Sequence, residues 1–182
     1  MKYSIEHIIE SKNVKYLFFW GHQPSRDGII TKSCLSQWWE ANFLVDNVNY
    51  KTAEHYMMAQ KAKLFKDDNA YNKIIACKTP GEAKKLGREV SNFNQDLWEK
   101  NRFSIVRQAN YYKFNQNPLL KEFLTNTKNR VLVEASPVDR IWGVGMDKNN
   151  SNILNPKNWK GLNLLGFALM EVRDDLIKQP LK

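Results

Sequence analysis

Thr52-Ala-Glu-His-Tyr-Met-Met-Ala-Gln-Lys-Ala-Lys-Leu-Phe65 begins with a residue suited to capping a helix and continues with good helix formers, free of Gly and Pro. A Thr hydroxyl in the N-cap position accepts from a main-chain N–H that the first turn leaves unpaired, so the stretch predicts a helix beginning at Ala53. On such a helix Glu54, Met58 and Lys61 stand at i, i+4 and i+7 and share one face. Glu54 and Lys61 are then roughly 10 Å apart along the axis, enough to bracket a sugar ring. A carboxylate and an amine in that arrangement suit a catalytic wall; the spacing alone equally fits a helix edge with two solvated ends. His55 and Tyr56 point away from that face and read as core or supporting groups.

Working outward, Tyr16 to Trp20 (YLFFW) is short, aromatic and β-prone and predicts a buried strand, while Phe43 to Tyr50 carries a turn signal at Asp46-Asn47 and predicts a second extended element. Thr79 and Pro80 open a helix containing Ala83 and Leu86, whose pattern Gly87 interrupts or ends. From Asp96 to Asn115 apolar residues recur at Leu97, Trp98, Ile105, Ala109 and Tyr112, the period of an amphipathic helix. Pro118 opens another helix, Val131 to Val133 is a brief β-branched run, and Leu164 to Ile177 is helical with Phe167, Met170 and Leu176 inward. About five helices against two or three short strands make the expected fold mainly α, an α+β arrangement with a minor small sheet.

The 182 residues suit one compact multihelical domain over 1–182, its core at about 15–178, because two domains of half that size would each bury too little surface. The N-terminus, MKYSIEHIIESK, interrupts its apolar stretch with Glu6 and Glu10 and does not read as a secretion signal. No window approaches the roughly 18 apolar residues of a membrane span, so no membrane partner is expected. Cys34 and Cys77 are isolated thiols, which suits a reducing, cytoplasmic setting. His7, His22 and His55 lack metal-ligand spacing, and neither a metal nor a cofactor is expected. Phosphate-loop, dinucleotide and nucleophile-elbow motifs are missing, which removes those enzyme classes. A net charge of +9 favours an anionic partner, although dispersed lysines also serve solubility.

Further chemistry gathers in Val131 to Gly145, VLVEASPVDRIWGVG. Glu134 and Asp139 can accept hydrogen bonds or move protons, Trp142 offers a stacking surface, and Gly143 and Gly145 permit close approach of the backbone. The same loop also reads as a structural corner with Trp142 in the core. Trp38, Trp39 and Trp98 are either core or stacking groups, and Gly87-Arg88 suggests an arginine offered to a phosphate.

Taken in order, Leu35-Ser36-Gln37-Trp38, Thr52-x-Glu54-His55-Tyr56 with Gln60-Lys61, Leu86-Gly87-Arg88, Trp98, Glu134-x-Ser136-Pro137-x-Asp139-x-x-Trp142-Gly143-x-Gly145 and Gly161-x-Asn163-x-Leu165-Gly166-x-x-Leu169-Met170 resemble the NADAR family of NAD- and ADP-ribose-associated domains. The resemblance spans about Phe18 to Arg173. It implies a mainly helical N-glycosidase that separates ribose phosphate from an amino-pyrimidine riboflavin-biosynthesis intermediate, a small-molecule phosphoribosyl substrate. Two alternatives accompany it: a hydrolase of ADP-ribosyl-guanine acting on ADP-ribosylated nucleic acid, and a non-catalytic module that binds ADP-ribose or nucleic acid. It implies Glu54 as the essential glutamate, Lys61 as a lysine on the same helix, and Trp98, Asp139, Trp142 and Asn163 around the pocket. Together with the residue readings above, Glu54, Lys61 and Asp139 are the expected catalytic residues and Trp98, Trp142, Arg88, Glu134, Asn163 and Gly143 the expected substrate-binding ones. Lys61 has two candidate roles, a point charge for the phosphate or a nucleophile toward C1. Lys51, Ala53, Met57-Met58 and Gln37-Trp38 depart from the family's common residues and bear on substrate choice.

Overall fold

The structure is a computed structural model and describes residues 1–178; the last four residues of the expected domain lie outside the described ones. By internal contacts the chain forms two units, Met1–Ser36 with Pro118–Lys182, and Gln37–Asn117. The fold is mainly helical, with seven α-helices and two small two-stranded sheets among the described residues. None of the described helices is long and apolar enough to cross a membrane.

In the first unit, strand β1 (Tyr16–Phe19) pairs in parallel with β4 (Val131–Glu134), with Tyr16 opposite Val131 and Phe19 opposite Glu134. Parallel neighbours need a long crossover, and here the intervening chain includes the whole second unit. Val131, Leu132 and Val133 are all buried, as a short continuous apolar strand requires. Helix α7 (Leu164–Lys178) packs on β4 and buries Phe167, Met170 and Leu176. The approach is closest at Gly166, where an added Cβ would lie 2.1 Å from the Leu132 carbonyl. Helices α1 (Ile5–Glu10) and α6 (Pro118–Asn126) complete this unit.

In the second unit, β2 (Phe43–Val45) and β3 (Val48–Tyr50) form an antiparallel hairpin. Its two turn residues, Asp46 and Asn47, both take positive φ, at 49° and 62°, the pairing that matches strand twist in a two-residue loop. Helix α2 (Ala53–Leu64) follows, with the Thr52 hydroxyl accepting from His55 N–H. Every residue from Ala53 to Ala59 is buried, so the first two turns of α2 have no solvent stripe. A helix covered all round must be surrounded, and α3 (Asp68–Ala76), α4 (Pro80–Arg88) and α5 (Gln95–Gln116) pack against it.

Several boundaries differ from expectation. β1 stops at Phe19, and Trp20 is 56% exposed. Gly87 does not break α4, which runs through it to Arg88; the residue has no Cβ because an ideal one would lie 2.0 Å from Met58 Sδ. The buried side of α5 is Val106, Ala109, Asn110, Lys113 and Phe114, whereas Leu97 is exposed and Ile105 and Tyr112 are half-buried. The period is helical as expected, but the residues that meet the core lie one position further along and include two polar groups. Helices α1 and α3 were not anticipated.

Candidate active site

Glu54 lies in the first turn of α2 and is 3% exposed. Its main-chain N–H donates to the Gln37 carbonyl at 3.0 Å, so the turn is held from outside the helix as well as by Thr52. A carboxylate at a helix N-terminus meets the positive end of the peptide dipoles, which offsets part of the cost of burying its charge. Beside it the His55 ring nitrogen Nδ1 and the Thr52 hydroxyl are 2.8 Å apart, and burial pushes the imidazole pKa below its ordinary 6.5.

Two turns along, Lys61 donates from Nζ to the Gly87 carbonyl at 2.7 Å. The amine stands 4.4 Å from the centre of the Phe93 ring and 5.6 Å from that of Trp98. Burial is the cause that lowers its pKa from the usual lysine value. Gly87 makes this possible because a bare Cα lets α4 bring a carbonyl within reach of α2. Trp98, expected as core or stacking surface, is half-buried and faces the amine. Arg88, expected to meet a phosphate, is exposed at the end of α4.

In the first unit, the loop after β4 folds back onto the strand's end. Glu134 is half-buried there, and its carbonyl accepts from Val144 N–H at 3.0 Å. Asp139 Oδ1 accepts from the N–H groups of Ile141 and Trp142, each at 2.8 Å, so one carboxylate oxygen holds the turn that presents the half-buried Trp142. Gly143 is obligatory for packing: a Cβ would lie 2.7 Å from the Glu134 carbonyl. Asn163, fully buried with φ of 53°, accepts from Glu134 N–H at 3.1 Å and donates to the Leu132 carbonyl at 3.0 Å. Both ends of its amide are thus engaged by β4. Among the described residues, no three His, Cys, Asp or Glu side chains gather as metal ligands would.

The structure therefore sets Trp98 beside Lys61, with Glu54 two turns away on the same helix, and gathers Glu134, Asp139, Trp142, Gly143 and Asn163 around the end of β4, each set within its own unit. Phe93 is a contact that the sequence does not announce. Its one signal is a lone aromatic in the polar run Ser91-Asn-Phe-Asn-Gln95, where Asn92 adopts φ of 55°.

Comparison with known proteins bears on this arrangement. The family model for the NADAR domain matches residues 18–177. The chain belongs to the NADAR domain family. Among its NADAR relatives, N-glycosidase R617 of Acanthamoeba polyphaga mimivirus is 41% identical over 166 residues, covering 88% of this chain and 96% of that protein. N-glycosidase YbiA of Escherichia coli strain K12 is 33% identical over 132 residues, 72% of this chain and 74% of that one. The solution structure of E. coli YbiA superposes with a TM-score of 0.73 at 26% identity, covering 98% of this chain and 94% of that chain.

Proposed function

We propose that this protein is an N-glycosidase that hydrolyses the bond between C1 of a ribose phosphate and the nitrogen of an amino-pyrimidine riboflavin-biosynthesis intermediate. The observation that carries it is a buried carboxylate and a desolvated amine, Glu54 and Lys61, on one helix that its neighbours enclose. The names of the relatives R617 and YbiA support the reaction class.

Breaking a ribosyl–nitrogen bond builds positive charge on C1 and the ring oxygen. A carboxylate held nearby stabilises that charge and accepts a proton from the water whose oxygen attacks C1; the electron pair of the broken bond goes to the leaving nitrogen, which takes up a proton. Glu54 has the features for this work. Of the two roles open to Lys61, its burial against Phe93 and Trp98 favours the nucleophile. The neutral amine bonds to C1 as the leaving nitrogen departs with the electron pair and a proton, and the opened sugar is held as an imine. The water that Glu54 activates then adds to C1 and releases the amine. A hydrolase of ADP-ribosylated guanine in nucleic acid is the second reading, favoured by the net charge of +9.

The test is turnover by purified protein on the phosphoribosylamino-pyrimidine and on ADP-ribosylated DNA. The small molecule is expected to be the better substrate, and Glu54→Gln is expected to lose about 10² to 10⁴-fold in turnover while still folding. Near-full activity in Glu54→Gln removes the carboxylate from the mechanism. Binding of ADP-ribose unaffected by the substitution, with no turnover of either substrate, would make the protein a binding module.

A further inference from the structure

Asn110 is out of place on the buried side of α5, a fully buried amide beside Val106, Ala109 and Phe114. Its Nδ2 donates to the Val106 carbonyl at 2.9 Å and to Gln37 Oε1 at 2.7 Å. These two bonds fix the direction of both amides. A carbonyl can only accept, so Asn110 must turn its NH2 toward Val106; the same NH2 faces Gln37, which must answer with its oxygen. Gln37 is 6% exposed, and its main-chain carbonyl is the acceptor for Glu54 N–H at 3.0 Å. A short relay of hydrogen bonds therefore runs from α5 through residue 37 to the first turn of α2.

The relay comes at a cost. Gln37 Nε2 and Asn110 Oδ1 are buried with no hydrogen-bond partner among the described residues. Unmet polar groups of this kind oppose folding, and a Leu and a Met of similar volume would fill the same space without them. Packing is thus no reason for this pair of amides. What they supply and apolar side chains would not is direction: Asn110 holds the Gln37 side chain in one orientation, which restrains the carbonyl that the turn bearing Glu54 hangs on. Local rules broken in a core are most often broken where function needs it.

We propose that Asn110 and Gln37 are positioning residues for Glu54, fixing the first turn of α2 so that the carboxylate stands in one place when substrate binds. The proposal rests on Glu54 being the reacting carboxylate, but its primary readout does not. Asn110→Leu and Gln37→Met each delete the side-chain bond while keeping an apolar side chain of similar reach, and Gln37→Met keeps the main-chain carbonyl. Amide hydrogen exchange is measured at Glu54 in the full chain without substrate. In both variants it is expected to quicken about two- to tenfold, with the C-terminal half of α2 unchanged. In turnover assays kcat is expected to fall about tenfold or more with KM little changed and the melting temperature kept or raised. Unchanged exchange at Glu54 in both variants overturns the proposal whatever turnover does. Loss of protection along the whole of α2, with stability, kcat and KM failing together, also overturns it, since that is the mark of a merely structural pair. A wild type inactive on both substrates, whose exchange at Glu54 still responds to both variants, sinks the enzymatic reading and leaves the relay standing.

Discussion

Replacing Gly87 by Ala tests how α2 and α4 hold the Lys61 amine. An ideal Cβ there would lie 2.0 Å from Met58 Sδ, 2.8 Å from its Cγ and 3.1 Å from its Cβ. The first two contacts are far inside van der Waals range and involve the middle of a side chain that is 7% exposed, so Met58 cannot simply swing its tip away. Either α4 backs off or the Met leaves its rotamer; forcing extra volume into a packed core costs about 1–3 kcal/mol. The better helix propensity of Ala returns about 1 kcal/mol, leaving a net loss of about 0–2 kcal/mol. Met58→Ala alone should cost about 2–5 kcal/mol through lost burial and the cavity it leaves. In that background, of these three contacts only the 3.1 Å one remains, which a shift of a few tenths of an ångström relieves, and the methyl fills part of the cavity. The double variant should therefore be more stable than the sum of the singles by about 2 kcal/mol, read from urea melts as a double-mutant cycle. Turnover should follow, falling in Gly87→Ala as the carbonyl that receives the Lys61 hydrogen bond recedes and recovering in the double variant. Additive singles, agreeing within about 0.5 kcal/mol, would show that the two helices do not meet at this point.

Lys61→Arg keeps the positive charge but removes a nucleophile able to lose its proton; turnover should collapse while KM holds, and an Arg variant of near-normal activity would return Lys61 to the role of phosphate contact. His55 gives the pH dependence. Its folded-state pKa lies below the ordinary 6.5, so as pH falls through that value the unfolded chain takes up a proton that the folded chain still refuses, and stability drops. The melting temperature should fall from about pH 7 to about pH 5, and His55→Gln, though less stable at neutral pH for want of the Thr52 contact, should show a flatter slope. An equal slope in the two proteins would take His55 out of the acid response.

How far these features could be read from the sequence depended on whether their causes were local. The cap at Thr52, the run of helix formers after it and the Asp46-Asn47 turn are decided by neighbouring residues, and the structure has α2 and the hairpin where those signals put them. Helix α3 was missed because only Ala70 and Ile74 are buried on it, too few for a period, and because its cap, Asp67, sits in the polar run Lys66-Asp67-Asp68-Asn69. On α5 the pattern was found but its phase was not: a polar Asn110 and Lys113 on the buried side look like solvent positions to any rule that equates apolar with inside. The reason for Asn110 is Gln37, 73 residues earlier, and no window reaches that far. The shared face of Glu54 and Lys61 follows from helical spacing alone, whereas Phe93 depends on a left-handed Asn92 that aims a loop aromatic at the amine.

The carboxylate and the amine that the proposal places on α2 are secured by different parts of the unit. Glu54 depends on Thr52 behind it and on Gln37, which Asn110 restrains from α5. Lys61 depends on Gly87 of α4 and on the rings of Phe93 and Trp98. With no exposed stripe along its first seven residues, α2 cannot slide or roll to accommodate a change at one end, so it serves as a fixed spacer of roughly 10 Å between carboxylate and amine. Loosening α4 should disturb the amine and leave Glu54 held, and releasing Asn110 should do the reverse. If the two groups act on one sugar as proposed, that separation makes a helix surrounded by neighbours a better carrier for them than a surface helix with the same two residues, because each can be tuned by its own neighbours without moving the other.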